Sequence, residues 1–286
     1  MSQQPHASPS DLLADAVART RAAARGEQPQ PLEAQLRNGT VVRLRPIRSG
    51  DKEGLRRGLA WLSPRSKQLG FHHPLDHLTD EQLEYVTEID HRDHVAWVAF
   101  DPETAPNPPG IAIGRYVRTS HTPTVAEAAI TVLDDYQGKG LGTLLLGILA
   151  SVAVDNGIDV FRNYVLADNE AVLALFDQLG ASRQNLTQDV YEVDLPLPAD
   201  IQTLAETALG RTLRTVATHG SEGSHLALTM PPLWARRRRH EREHPAHAPE
   251  LSSLRERGPF GDWLDAVFEG DVSEEADPPA AEDDTD

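Results

Sequence analysis

Short runs in which apolar and polar residues alternate, interrupted by segments with helical spacing, give the chain its plan. TVVRLRPI, residues 40–47, alternates and predicts a strand. Helical spacing follows over 51–62 and again over 79–89, where Thr79 stands as an N-cap. HVAWVAF (94–100) and GIAIGRYVRT (110–119) predict two strands around a Pro-rich loop, and VAEAAITVL (125–133) predicts a third. The tight loop QGKGLG comes next, then an apolar helix over 143–154. DVFRNYVL (159–166) predicts a strand, 169–179 a helix, and VYEVDL (190–195) a closing strand. The order is strand, helices, three strands, helix, strand, helix, strand. That is the order of an α/β or α+β domain, and no segment repeats.

The flanks are patterned differently. Residues 1–35 are rich in Ala, Gln and Pro and predict a disordered, mobile arm with one short helix around 12–24. Past residue 198, Ile201, Leu204, Ala208, Leu209, Leu213 and Val216 fit one amphipathic helix. Trp234 opens an Arg-rich stretch, and 260–268 is a short apolar island. Residues 269–286 hold nine acids and no Lys or Arg, which predicts a disordered acidic tail. The expected organisation is an arm over 1–35, a folded domain over 36–197, a partly helical extension over 198–268, and the tail.

Composition sharpens this picture. Of 286 residues 39% are hydrophobic, below the globular average of about 45–50%, as expected when part of the chain lies outside a core. The absence of cysteine excludes disulfides, thiolate metal ligands and a thiol nucleophile, and fits a cytoplasmic location. No apolar run approaches the roughly 20 residues that span a bilayer, and the first 20 residues lack a secretory pattern. No membrane partner is expected. A net charge of −17 disfavours nucleic acid and favours cationic partners.

The chemistry is concentrated in Gln137-Gly138-Lys139-Gly140-Leu141-Gly142, between a strand and a helix. Glycines let backbone approach a ligand, and the unpaired N–H groups of a helix start attract anions, phosphate above all. The spacing fits neither a Walker loop nor a dinucleotide fingerprint, since Thr143 or Leu145 stands where the third glycine would be.

This loop resembles the Gln/Arg-x-x-Gly-x-Gly/Ala acyl-CoA motif of the GNAT superfamily of N-acetyltransferases. VLADNEAVLALFDQLGA resembles the family's second motif, with Asn169 at the start of its helix. LSPRSKQLGFHHPLDHLTDEQLEYV, residues 62–86, resembles a narrower branch, the bacterial protein lysine acetyltransferases. Gly70 and His72 depart from that branch, where Arg and Phe are common.

The resemblance implies an α+β sandwich, with a mixed, mostly antiparallel sheet flanked by helices. Two strands, 125–133 and 159–166, would splay to admit acetyl-CoA as cosubstrate. It also implies that the Leu133 N–H faces the thioester oxygen and that Val132 holds the pantetheine arm. Gln137, Gly138, Lys139, Gly140, Leu141, Gly142 and Thr143 would cradle the pyrophosphate. Asn169 would contact the cofactor near the thioester, although Asn is also a good helix N-cap. Phe176 stands where many members carry a tyrosine that protonates the leaving thiolate.

Transfer to an amine needs that amine neutral. For a lysine this costs roughly 4–5 kcal/mol at pH 7, which a neighbouring carboxylate can offset. Glu127 is the one acid inside VAEAAITVL, on a face with Ala129, Thr131 and Leu133. The lysine-acetylating branch places its general base at the matching position. The expected function is acetyl transfer from acetyl-CoA to a primary amine, first of all a protein lysine. A small-amine acetyltransferase and a non-catalytic acyl-CoA sensor are the alternatives.

Other signals carry less. His240-Glu241-Arg242-Glu243-His244 matches HExxH, but Pro245 would end the helix and the flanks are charged, so no metal site is expected. His72, His73, His77, His91 and His94 lack carboxylates at diagnostic spacing. Asp134 and Asp135 are expected to be solvated in a turn.

Overall fold

The computed structural model describes residues 9–71, 77–103, 109–186, 188–204, 206–207 and 209–211. Eight strands form one sheet: β1 (Leu32–Gln35), β2 (Val41–Pro46), β3 (His94–Phe100), β4 (Ala112–Arg118), β5 (Val125–Val132), β6 (Val160–Leu166), β7 (Ser182–Asn185) and β8 (Val190–Pro196). Their order is β1-β2-β3-β4-β5-β6-β8-β7. Every neighbouring pair is antiparallel except β5 and β6, which are parallel. The α+β sandwich expected from the sequence is the fold observed, and each strand it predicted is present to within two residues at either end. The edge strands β1 and β7 were not legible in the pattern. The four β7 residues are all exposed, so no apolar alternation marks them.

Helices cover both faces: α1 (Pro9–Ala24), α2 (Lys52–Trp61), α3 (Pro64–Phe71), α4 (Asp80–Thr87), α5 (Leu141–Asp155), α6 (Glu170–Leu179) and the short α7 (Ile201–Leu204). Strand alternation divides the sheet between two cores. Val95, Trp97 and Ala99 with Ala126, Ala128, Ile130 and Val132 pack into the main core with α1, α5 and α6. Ala96, Val98 and Ile113 face the other way, against Leu55 of α2 and Val86 of α4. The helix α5 is apolar all round because it is buried all round, between the sheet and α1. A Cβ on Gly114 of β4 would stand 3.1 Å from Leu149 and 3.3 Å from Leu145, so glycine lets α5 lie close on the sheet. Thr79 caps α4 as its sequence suggests: its hydroxyl accepts from the Gln82 N–H at 3.2 Å, and its own N–H donates to Gln82 Oε1 at 2.7 Å.

The structure corrects the reading of residues 9–35 as a mobile arm. Leu13, Ala16, Val17 and Thr20 fall on one stripe of α1 and are buried. The Trp97 Nε1–H donates to Thr20 Oγ1 at 3.0 Å. The strand β1 then pairs with β2. An Ala-rich composition hid this stripe, because small residues can pack closely while adding little to the hydrophobic signal. Residues 1–8 lie outside the described residues. So do residues 205, 208 and 212–216 of the helix foreseen over 201–216, the Arg-rich stretch, the apolar island and the acidic tail. What is described is not one helix: α7 ends at Leu204, a turn follows at 206–207, and Leu204 and Leu209 are both buried in the main core.

Candidate active site

The two parallel strands part company. β5 pairs with β6 only at Val125, Ala126 and Glu127, whose partners are Val160, Phe161 and Arg162. On their outer sides β5 stays paired with β4 up to Val132, and β6 with β8 up to Leu166. A gap therefore opens beyond Glu127, toward the C-terminal ends of both strands, where parallel sheets commonly take ligands.

Backbone direction decides which groups face this gap. The Leu133 N–H donates to the Ile111 carbonyl at 2.9 Å, on the β4 side. It is therefore not the amide that meets a thioester, which corrects the expectation above. Antiparallel pairing alternates, so Val125, Glu127, Ala129, Thr131 and Leu133 turn their backbone groups to β4. Ile130 and Val132 turn theirs toward β6, past the last paired register. Val132 is thus among the residues whose backbone groups face the gap. Its carbonyl accepts from Gln137 Nε2 at 2.9 Å, and that nitrogen also donates to Ser66 Oγ at 3.1 Å.

The glycine loop lies at the open end. Gly138 and Gly140 have φ of 70° and 91°, left-handed values that favour glycine. Gly140 is the N-cap of α5, and no side chain caps that helix. The first intrahelical bond runs from the Leu144 N–H to the Gly140 carbonyl, at 3.0 Å. The N–H groups of Leu141, Gly142 and Thr143 thus precede the helical ladder, at its positive end. Thr143 is buried as a whole, at 3% exposure. The Lys139 carbonyl accepts from the Arg37 N–H at 3.3 Å, and Lys139 Nζ sits 5.1 Å from the Tyr136 ring centroid. On the facing wall Asn169 occupies the N-cap of α6 without bonding that helix through its side chain.

The helix α3 lies across the same end. Asp134, just after β5, accepts from the Ser63 N–H at 2.9 Å and from the Ser63 and Ser66 hydroxyls, each at 2.7 Å. Burial would raise its carboxyl, but these bonds outweigh burial and hold it below its ordinary value. Asp134 is therefore a tether and not merely a solvated turn residue. Arg65 Nη2 reaches Asp168, just after β6, at 2.9 Å. One helix thus touches both walls of the gap. The sequence signal was LSPRS itself, a Ser-Pro helix start carrying a second serine and an arginine, but its partners lie 71 and 103 residues away.

On the α4 side of the sheet Glu127 is 9% exposed, at the last paired position. The Tyr164 hydroxyl, from β6, stands 3.5 Å from its Oε1. Arg115 and Tyr85 are within electrostatic reach. Burial lowers the Arg115 guanidinium, while Tyr85 and Glu127 pull it back up. Burial raises the Tyr85 hydroxyl. His94 packs on Tyr85 with ring centroids 5.0 Å apart; burial, aided by Arg115, pushes it down to about 3. Tyr164 and Arg115 were missed from sequence because strand alternation gives a face but not the neighbours across it. Phe176 is a core residue, 1% exposed.

The parted sheet, glycine loop and buried carboxylate together define the class of fold that the sequence suggested. The model of the Acetyltransferase (GNAT) family matches residues 59–181. The chain is 30% identical over 158 residues to an acetyltransferase of Pseudomonas aeruginosa, covering 55% of this chain and 84% of that one. It is 38% identical over 172 residues to acetyltransferase Pat of Mycolicibacterium smegmatis, covering 59% of this chain and 50% of that one. It thus spans half the length of that relative. The crystal structure of the GNAT domain of S. lividans PAT matches with a TM-score of 0.54 at 28% identity, over 60% of this chain and all of that one. The chain belongs to the GNAT family of acetyltransferases.

That family uses acetyl-CoA, and the residues present suit such a group. The gap offers backbone amides to the amides of a pantetheine arm. The start of α5 offers N–H groups to a pyrophosphate. Asn163, at the first position where β6 leaves β5, is fully buried with a side-chain oxygen that has no hydrogen-bond partner among the described residues.

Proposed function

We propose that this chain transfers the acetyl group of acetyl-CoA to a primary amine, and that the acceptor is a protein lysine. The observation that carries the reading is the position of Glu127, a buried carboxylate at the point where β5 and β6 part. The lysine acceptor is supported by the resemblance of residues 62–86 to the lysine-acetylating branch and by an acidic chain, which favours cationic partners.

In this reading the amides of Leu141, Gly142 and Thr143 bind the pyrophosphate, with Gly138 and Gly140 keeping side chains out of its way. Gln137 braces the loop against Val132 and Ser66. Lys139 and Asn169 flank the cofactor from the loop and from α6. Ile130 and Val132 hold the pantetheine arm and thioester through backbone groups, the role first given to Leu133. When bound, acetyl-CoA supplies an activated acyl carbon. Glu127 takes the proton of the acceptor ammonium, directly or through water, so that the neutral amine attacks.

Calorimetry with acetyl-CoA, followed by CoA release against a panel of lysine-bearing proteins and small amines, tests the proposal. Micromolar cofactor binding and turnover on protein lysines are expected. No binding at submillimolar cofactor would refute the cofactor assignment. Turnover only on small amines would refute the acceptor, and binding without turnover on any amine would mark a sensor.

A further inference from the structure

We propose that Asn163 is a ligand of the pantetheine arm, its Oδ1 accepting an amide N–H of the cofactor. This inference rests on the acetyl-CoA reading above and adds to it a side chain that neither the glycine loop nor the second motif contains.

Asn163 lies in the middle of β6, and no part of it reaches solvent. Its neighbours on the same face, Phe161 and Val165, are both fully buried apolar residues. A carboxamide here is costly unless its donors and acceptor are satisfied. Its Nδ2 is satisfied, donating to the Phe161 carbonyl at 3.1 Å and to the Val193 carbonyl at 3.4 Å. Its Oδ1 has no partner among the described residues. Exchanging the two atoms would set an oxygen against two carbonyl oxygens and orphan the NH2 group, so the orientation is fixed by its surroundings.

The direction of the free oxygen follows from the sheet. Asn163 and Val193 face each other across β6 and β8, and the Phe161 partner on β8 is Leu195. The Ala167 N–H donates to the Asp189 carbonyl, so by alternation Phe161, Asn163 and Val165 turn their backbone groups to β8. Both carbonyls that hold Nδ2 therefore lie in the β6–β8 seam. On a planar carboxamide the oxygen diverges from the nitrogen, so Oδ1 is turned away from β8, toward the side that β5 has left. Arg162 is the last residue of β6 paired with β5, and Asn163 is the next. An acceptor thus stands at the inner end of the gap. A bound acyl-CoA presents two secondary amide N–H groups along its pantetheine arm, and the arm enters this gap. No hydrophobic requirement of the core explains an asparagine here, whereas a donor arriving with the cofactor completes its bonding.

The test is a cycle between the protein and the cofactor, read by calorimetry on the full chain. The probes are acetyl-CoA and two analogues in which an ester oxygen replaces one or the other pantetheine N–H. Asn163→Leu keeps the branched shape and removes the acceptor. Its affinity for acetyl-CoA should fall about tenfold, the worth of one buried hydrogen bond. Its melting temperature without cofactor should hold or rise, because an unsatisfied buried oxygen has gone. One of the two ester analogues should bind the unmodified protein about tenfold more weakly than acetyl-CoA does, yet bind Asn163→Leu as well as acetyl-CoA does. Should the leucine variant fail to fold, Asn163→Ser completes the same cycle. Equal binding of acetyl-CoA by the protein and its variant would overturn the assignment, as would ester penalties unchanged by the substitution. Failure of the unmodified protein to bind acetyl-CoA would instead overturn the proposed function, and this inference with it.

Discussion

The Tyr164 hydroxyl and Glu127 Oε1 stand 3.5 Å apart, Glu127 at the last paired register of the two parallel strands and Tyr164 two residues beyond it. A bond this long is weak. Glu127→Gln keeps the shape and removes the proton acceptor. Turnover should fall by about 10²–10⁴ while acetyl-CoA affinity barely changes. The deficit should shrink as pH rises, because more acceptor amine is then neutral in solution. Steady-state rates across pH, with calorimetry alongside, measure both. Near-normal turnover at neutral pH would remove Glu127 from the role.

Asp134→Ala releases both serines that fasten the start of α3. Asp134 is itself exposed, so the stability loss should be small, about 1 kcal/mol. Amide exchange over residues 64–71 should nevertheless accelerate, since the Arg65–Asp168 contact alone is an exposed ion pair. Unchanged exchange there would show that α3 is held by something other than this tether.

Thr20→Val tests whether α1 belongs to the core. The substitution is close to isosteric but leaves the buried Trp97 N–H without its acceptor. A destabilisation of about 1–3 kcal/mol is expected in chemical denaturation. A loss below about 0.3 kcal/mol, the size of a neutral surface change, would mean that α1 contributes little.

His94 gives stability an acid limb. Its folded value, about 3, lies below the unfolded value of about 6.5, so between these limits the unfolded chain binds more protons. Stability should therefore fall as pH drops from about 6.5 toward 3, by at most about 1.4 kcal/mol per pH unit from this group. Asp134, held below its ordinary value, loses its contribution only at lower pH, as it protonates. His94→Gln should flatten the limb between about pH 6 and 4. Denaturation midpoints at half-unit pH steps would show it, and an unaltered slope would place the acid sensitivity elsewhere.

The sequence by itself determined the order of elements and the chemistry of one loop. Period-two runs such as TVVRLRPI and HVAWVAF can bury one face only as strands, and the glycines of Gln137–Gly142 can take φ values that other residues resist. The lone acid in VAEAAITVL was conspicuous because its neighbours are apolar. These signals are local, carried by residues a few positions apart. What only the tertiary structure decided is everything that depends on residues distant in sequence. Whether the Leu133 amide faces β4 or the gap depends on the phase of a ladder with Ile111. Whether Ala-rich residues near the start form an arm or a core helix depends on Trp97, 77 residues away. Asn163 reads as an ordinary strand residue until β5 is seen to leave β6 one position earlier. Pairing phase, burial and the point where two strands part are set by packing between elements, and a one-dimensional pattern does not contain them.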